Sequence, residues 1–196
     1  MAMKRAFATV LATSLCYAIT AWTATTHANP LKSLYTTLEL SSCKVAQRPP
    51  DGHTWTCTGL DGYPVQVADG DQRIFVSFGE EPGKHRATRQ TLASFNSIFD
   101  DKHARATLEW RIVRQNGRPL PFATILRYFT SNGERRGEVL VVSRVAPGQS
   151  CHVAYIDALA NPDAIAIARQ VADTTARRFD CKTEPGIQGR RGQSPL

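Results

Sequence analysis

The sequence predicts an α+β domain of two layers, an antiparallel sheet meander packed by a C-terminal helix and stapled by two disulfides. Three features predict it: apolar alternation in short runs between turn dipeptides, one amphipathic stretch near the end that carries helix-start residues, and an even set of cysteines once a leader is removed.

The leader comes first. Lys4-Arg5 form a short cationic opening, residues 6–22 are uncharged, and Thr26-His27-Ala28 present side chains that a signal peptidase reads. A membrane span needs about 20 apolar residues, and Thr9, Thr13, Ser14 and Thr20 dilute this run too far. Leu15 before Cys16 does not fit a lipoprotein signal. Residues 1–28 are therefore read as a signal peptide cleaved near Ala28, which predicts a periplasmic or secreted protein without a transmembrane anchor in its mature form. Losing Lys4 and Arg5 takes the net charge from +7 to +5. Residues 29–181 then suffice for a single domain with its own core.

Cys43, Cys57, Cys151 and Cys181 survive the cleavage, and an oxidising compartment favours two disulfides. An extended stretch at 35–40 runs into Cys43, the strand 53–58 carries Cys57, and Pro49-Pro50-Asp51-Gly52 turns between them, which brings these two cysteines opposite each other. Cys151 opens the strand 151–156, and a helix running back along it ends near Cys181. Pairing Cys43 with Cys57 and Cys151 with Cys181 therefore distorts the chain least. A thiolate metal site wants close Cys-x-x-Cys pairs, and the sequence has none.

Strands 63–67 and 73–78 flank the hairpin signal Asp69-Gly70-Asp71. Residues 83–99, with Leu92, Phe95 and Ile98, are predicted as a helix. Strands 107–114, 122–129, 139–145 and 151–156 follow as a four-strand meander turned at Asn116-Gly117, Asn132-Gly133 and Pro147-Gly148. The order thus reads as four strands and a helix, twice. Leu108, Trp110 and Ile112 share the apolar face of their strand, which the helix is expected to cover. Glu109 and Arg111 share the other face, joined on the outside by Arg127 and Arg144. The final helix takes Asn161 as N-cap and Pro162 as its first residue, with Ala164, Ala168, Val171, Thr175 and Phe179 on one face. Residues 182–196, glycine-rich and aperiodic, are expected to be a disordered basic tail.

Several of these stretches, namely Tyr35-Thr-Thr-Leu-Glu-Leu-Ser-Ser-Cys43, Trp55-Thr-Cys57, Gly62-Tyr-Pro-Val, Phe75-Val-Ser-Phe-Gly79, Ala123-Thr-Ile-Leu-Arg-Tyr128 and Cys151-His-Val-Ala-Tyr-Ile-Asp157, together resemble an uncharacterised family of small secreted proteins common in alphaproteobacteria. The resemblance covers most of the mature chain. It implies export and paired cysteines, and brings no activity or catalytic residue with it.

Catalytic chemistry is hard to nominate. His152 neighbours Cys151, but adjacent strand residues point to opposite faces and Cys151 is expected in a disulfide. Ser150, His152 and Asp157 have the residue types of a triad without the Gly-x-Ser-x-Gly elbow that exposes such a serine. Asp100, Asp101, His103 and His85 lack metal-ligand spacing, so neither metal nor cofactor is expected. Glu80-Glu81 read as helix-start acids, and Asn132 to Gly137 has no phosphate-loop spacing. The remaining signal is basic. Arg111, Arg127 and Arg144 on one strand face, with the mature charge of +5, predict a non-catalytic binding or envelope accessory module for an anionic envelope component or an acidic protein. A small hydrolase is the alternative, and nucleic acid is disfavoured by the compartment.

Overall fold

In the computed structural model the described residues are 31–47, 52–92 and 95–196. The expected signal peptide and its cleavage point lie outside them.

The described residues form two sheets, antiparallel except for one short parallel edge strand, and one α-helix. The smaller sheet has four strands, β2 (Lys44–Gln47), β3 (Thr54–Leu60), β4 (Tyr63–Gly70) and β5 (Arg73–Phe78), in sequence order. The larger sheet contains β1 (Lys32–Leu38), β7 (Ala106–Gln115), β8 (Arg118–Ser131), β9 (Arg136–Ala146), β10 (Gln149–Asp157) and β11 (Gly186–Gln188), side by side in that order, with β6 (Phe95–Ser97) paired to the far end of β8. The expected meander is β7 to β10. Its first turn is set by chirality: Asn116 and Gly117 have φ of 50° and 79°, the left-handed pair that a two-residue hairpin needs. Pro147-Gly148 turns β9 into β10, with φ of 67° at the glycine.

Both disulfides form as expected, Cys43 with Cys57 and Cys151 with Cys181, at Cα separations of 4.4 and 5.7 Å. The hairpin that brings the first pair together differs from the expectation. The extended stretch before Cys43 is β1, which pairs with β7 in the large sheet; a 3₁₀ turn at Leu40–Ser42 then carries the chain across, and β2 is the strand that pairs with β3. β1 adds Leu38 to the apolar side of β7, and that burial outweighs the local hairpin.

The two faces of the large sheet have different covers. Leu108, Trp110, Ile112, Leu126, Tyr128, Val139 and Val141 pack against Val65, Val67, Val76 and Phe78 of the small sheet, with the Phe78 ring edge-on to Trp110 at 5.9 Å between centroids. The indole N–H of Trp110 donates to Thr36 Oγ1 at 2.8 Å. Ala123, Ile125, Leu140, Val142, Val153 and Ile156 face the opposite way, toward the helix α1 (Ala164–Thr174). The helix therefore packs on the side of Glu109 and Arg111, and the small sheet takes the more apolar side that the alternation assigned to the helix. Ala164, Ala168 and Ala172 are buried at four-residue spacing, so small side chains set a close helix-to-sheet approach. A 3₁₀ turn at Ala176–Arg178 extends α1.

Three local expectations fail. Residues 83–99 are not a helix: two 3₁₀ turns at Pro82–Lys84 and Arg86–Arg89 lead to β6, while Leu92 and Ile98 enter the core. Asn96 helps to fix this path, because its side chain accepts from the Ile74 N–H at 3.0 Å and donates to Thr91 Oγ1 at 2.8 Å. The repeat of four strands and a helix is therefore not formed. Asn161 does not cap α1, whose preceding residue is Asp163; its carboxamide binds the backbone of Arg190 instead. Finally, residues 182–196 are ordered, because β11 joins β10 in parallel and Ser194 is buried against Asp157.

Among the described residues no helix is long and apolar enough to cross a membrane.

Candidate functional site

The three arginines expected to line an anion-binding face have different fates. Arg111 is buried under α1, where Nε donates to Asp173 Oδ1 at 2.9 Å and Nη2 to Asp173 Oδ2 at 2.7 Å. Beside it Glu109, also buried, accepts from Arg169 Nε at 2.8 Å and Nη2 at 3.1 Å and from the Ser33 hydroxyl, and Arg169 reaches on to the Tyr35 hydroxyl at 3.0 Å. Arg144 donates to the carbonyls of Ala176 at 3.0 Å and of Arg177, where the helix leaves acceptors unpaired. Of the three, Arg127 alone is exposed, paired with Glu138. Charges at 109 and 111 lie inside because the helix covers their face, and alternation alone does not say which face is covered.

The residue types of a triad are dispersed. Ser150 Oγ lies 2.8 Å from Ser77 Oγ and 3.3 Å from His85 Nδ1, and that histidine nitrogen is 3.1 Å from the Phe78 carbonyl. His152 contacts the Tyr155 hydroxyl at 3.0 Å, and burial drives its pKa down to about 3, with the Arg86 charge adding to the effect. Burial likewise raises the Tyr155 phenol well above its ordinary value. Asp157 is a structural acceptor for Ser194. His103 pairs with Asp100 at 2.8 Å on an exposed loop, with His85 buried elsewhere, and among the described residues no three His, Cys, Asp or Glu side chains cluster as a metal site. The hydrogen bond from His103 holds the Asp100 carboxyl below its usual range.

One surface groove is announced by no sequence pattern. It measures about 590 Å³ and is lined by the half-buried rings of Phe95, Phe99 and Phe129, with Lys102 and Arg136 standing among Asp100, Asp101 and Glu138. A second groove of about 370 Å³, lined by Tyr35, Arg105, Glu109, Arg127 and Arg169, meets the first at Asp100 and Phe129. Tertiary pairing builds the surface. β8 runs past the end of β7, so its terminus, Phe129 to Ser131, is free to pair with β6 and bring Phe95 and Phe99 alongside. Phe95 and Phe99 stand four residues apart, a spacing that fits the expected helix, so the sequence pattern points away from this groove.

Together, two sheets, one helix and two disulfides define an α+β protein that carries a groove of aromatic rings edged by charges of both signs. No protein family, curated protein or solved structure matches this chain.

Proposed function

We propose that this is an exported, non-catalytic binding module, and that the joined groove takes an extended acidic segment of a partner protein. The carrying observation is the meeting of the two cavities at Phe129, which puts an aromatic floor next to Arg127 and Arg136. Each groove has the volume that takes one drug-sized ligand, about 300–1,000 Å³, so the two end to end have room for several residues of chain, and aromatic and arginine side chains are enriched where proteins bind one another. The rim arginines are engaged, Arg136 with Asp101 and Arg127 with Glu138. Those pairs are solvated, and such pairs are worth about 0–1 kcal/mol, so a ligand carboxylate can replace an internal one at little cost. The mature charge of +5 favours that exchange. The two disulfides, the leader and the family resemblance support the export part of the reading.

A hydrolase reading has less support, because Glu109 and Asp100, the carboxylates of the smaller groove, are occupied by Arg169 and by the loop around His103.

The test is fluorescence anisotropy with a labelled peptide that alternates Glu with Phe. Binding should weaken with salt, since screening acts over about 10 Å at 0.1 M. It should fall about tenfold in Arg127→Glu/Arg136→Glu, a loss of about 1.4 kcal/mol, and fall further in Phe129→Ala. Unchanged affinity in both variants refutes the groove.

A further inference from the structure

Asp157, at the end of β10, accepts five hydrogen bonds. Two come from its own turn, the Leu159 and Ala160 N–H groups at 3.1 and 3.2 Å. Three come from a distant segment: the Gln193 N–H at 2.9 Å, the Ser194 N–H at 2.8 Å and the Ser194 hydroxyl at 2.6 Å. Asn161 grips the same segment one step earlier, accepting from the Arg190 N–H and donating to the Arg190 carbonyl, each at 2.8 Å. The register is specific for glycine and serine. Gly189 has φ of 77°, and a Cβ there would stand 2.6 Å from Asn161 Oδ1. Ser194 lies flat on Gly137, where an added Cβ would stand 2.5 Å from the Ser194 Cβ.

What this segment presses against gives it a role. The Glu138 N–H donates to Ser194 Oγ at 3.0 Å, and Gly137, Glu138 and Leu159 all belong to the wall of the larger groove. Glu138 is also the partner of Arg127. Residues 189–193 are exposed and are held by polar contacts beside the short pairing of β11, so that Ser194 and Pro195 are the buried anchor of the segment, and segments with so few buried groups open more readily than a core strand.

We propose that residues 189–196 are a releasable strap, latched by Asp157 and Asn161, whose closed position holds the wall of the aromatic groove in its binding shape. This rests on the reading of the groove as a ligand site. Release frees Glu138 and the Leu159 turn, which changes the groove from one side without altering any of its aromatic residues.

The experiment uses the full mature chain with two readouts, amide hydrogen exchange and anisotropy of the same Glu/Phe peptide. In Asp157→Asn the amides of Gln193, Ser194 and Glu138 should exchange at least about tenfold faster while the amides of β7 stay protected, and peptide affinity should shift by about threefold or more. Gly137→Ala, which displaces Ser194 sterically and leaves the Asp157 and Asn161 side chains unchanged, should reproduce both changes. It also keeps the test decisive if Asp157→Asn fails to fold. Unchanged exchange in Gly137→Ala overturns the latch; faster exchange with unchanged peptide affinity overturns the control of the groove. Failure of the groove reading itself is seen separately, as wild-type affinity in Phe129→Ala with the strap amides still protected.

Discussion

Arg111 of β7 and Asp173 of α1 are joined by two parallel hydrogen bonds of 2.9 and 2.7 Å, and the arginine is only 7% exposed. A bidentate pair in this position ties the helix to the sheet at a fixed register. Its charges are confined by Glu109, Arg169 and Ser33, so the network carries little net charge of its own.

Removing one partner should therefore cost more than a surface change. Arg111→Ala leaves Asp173 and part of Glu109 uncompensated under the helix, and urea titration should show a loss of about 3–5 kcal/mol. A loss below about 0.5 kcal/mol, the usual effect of a surface substitution, would mean that the pair is not formed.

The alanine stripe of α1 leaves no room against the large sheet. Ala168 is fully buried, and Ala168→Leu should destabilise by about 1–3 kcal/mol through overpacking. Ile165, 40% exposed on the same helix, should accept Ala with little change in melting temperature.

Acid should weaken the fold in two stages. His152 has a folded pKa of about 3 against an ordinary value of 6.5. Between those values the unfolded chain holds a proton that the folded one lacks, so the stability present above 6.5 is lost progressively as pH falls toward 3. The limiting slope is about 1.4 kcal/mol per pH unit. Asp157 acts in the same direction at lower pH: burial would raise its pKa, but the hydrogen bonds from Ser194, Gln193 and Ala160 outweigh it and hold the value below 3.8. Its contribution is present above 3.8 and is lost as pH falls through the lower folded value. Chemical denaturation across pH should show His152→Gln flattening the first stage and leaving the second.

Non-reducing peptide mapping of the purified protein should give two linked species only, Cys43 with Cys57 and Cys151 with Cys181. The second bond closes a loop of 30 residues, and its replacement by two serines should cost roughly 3–4 kcal/mol on the loop-entropy model. A crossed species would contradict the observed pairing.

Local physics makes much of this protein legible in its amino-acid order. Alternation at Leu108, Trp110 and Ile112 identifies the apolar face of β7. Left-handed turn residues at Asn116-Gly117 mark the hairpin after it, and the turn signal between Cys43 and Cys57 points to their pairing, although β2 and not the stretch at 35–40 is the strand that forms that hairpin. These signals are short-range, because each depends on side-chain periodicity or on φ at one or two residues.

Where a decision depends on partners distant in sequence, the same signals are silent or misleading. Residues 83–99 have a helical distribution of apolar groups, yet they form two 3₁₀ turns and β6, with Leu92 and Ile98 in the core and Asn96 hydrogen-bonded to distant partners. Residues 182–196 look featureless because the groups that order them, Asp157 and Asn161, lie far back in the chain.

By itself, then, the sequence determined the strand periods, the turn positions, the cysteine pairing and the expectation of export. Tertiary structure alone decided which layer covers each face of the large sheet, and with it that Arg111 is an internal tie while Arg127 borders the groove. The physical reason is that a β-strand has two faces, and alternation separates them without saying what covers either one. That choice is made by burial summed over both sheets and the helix.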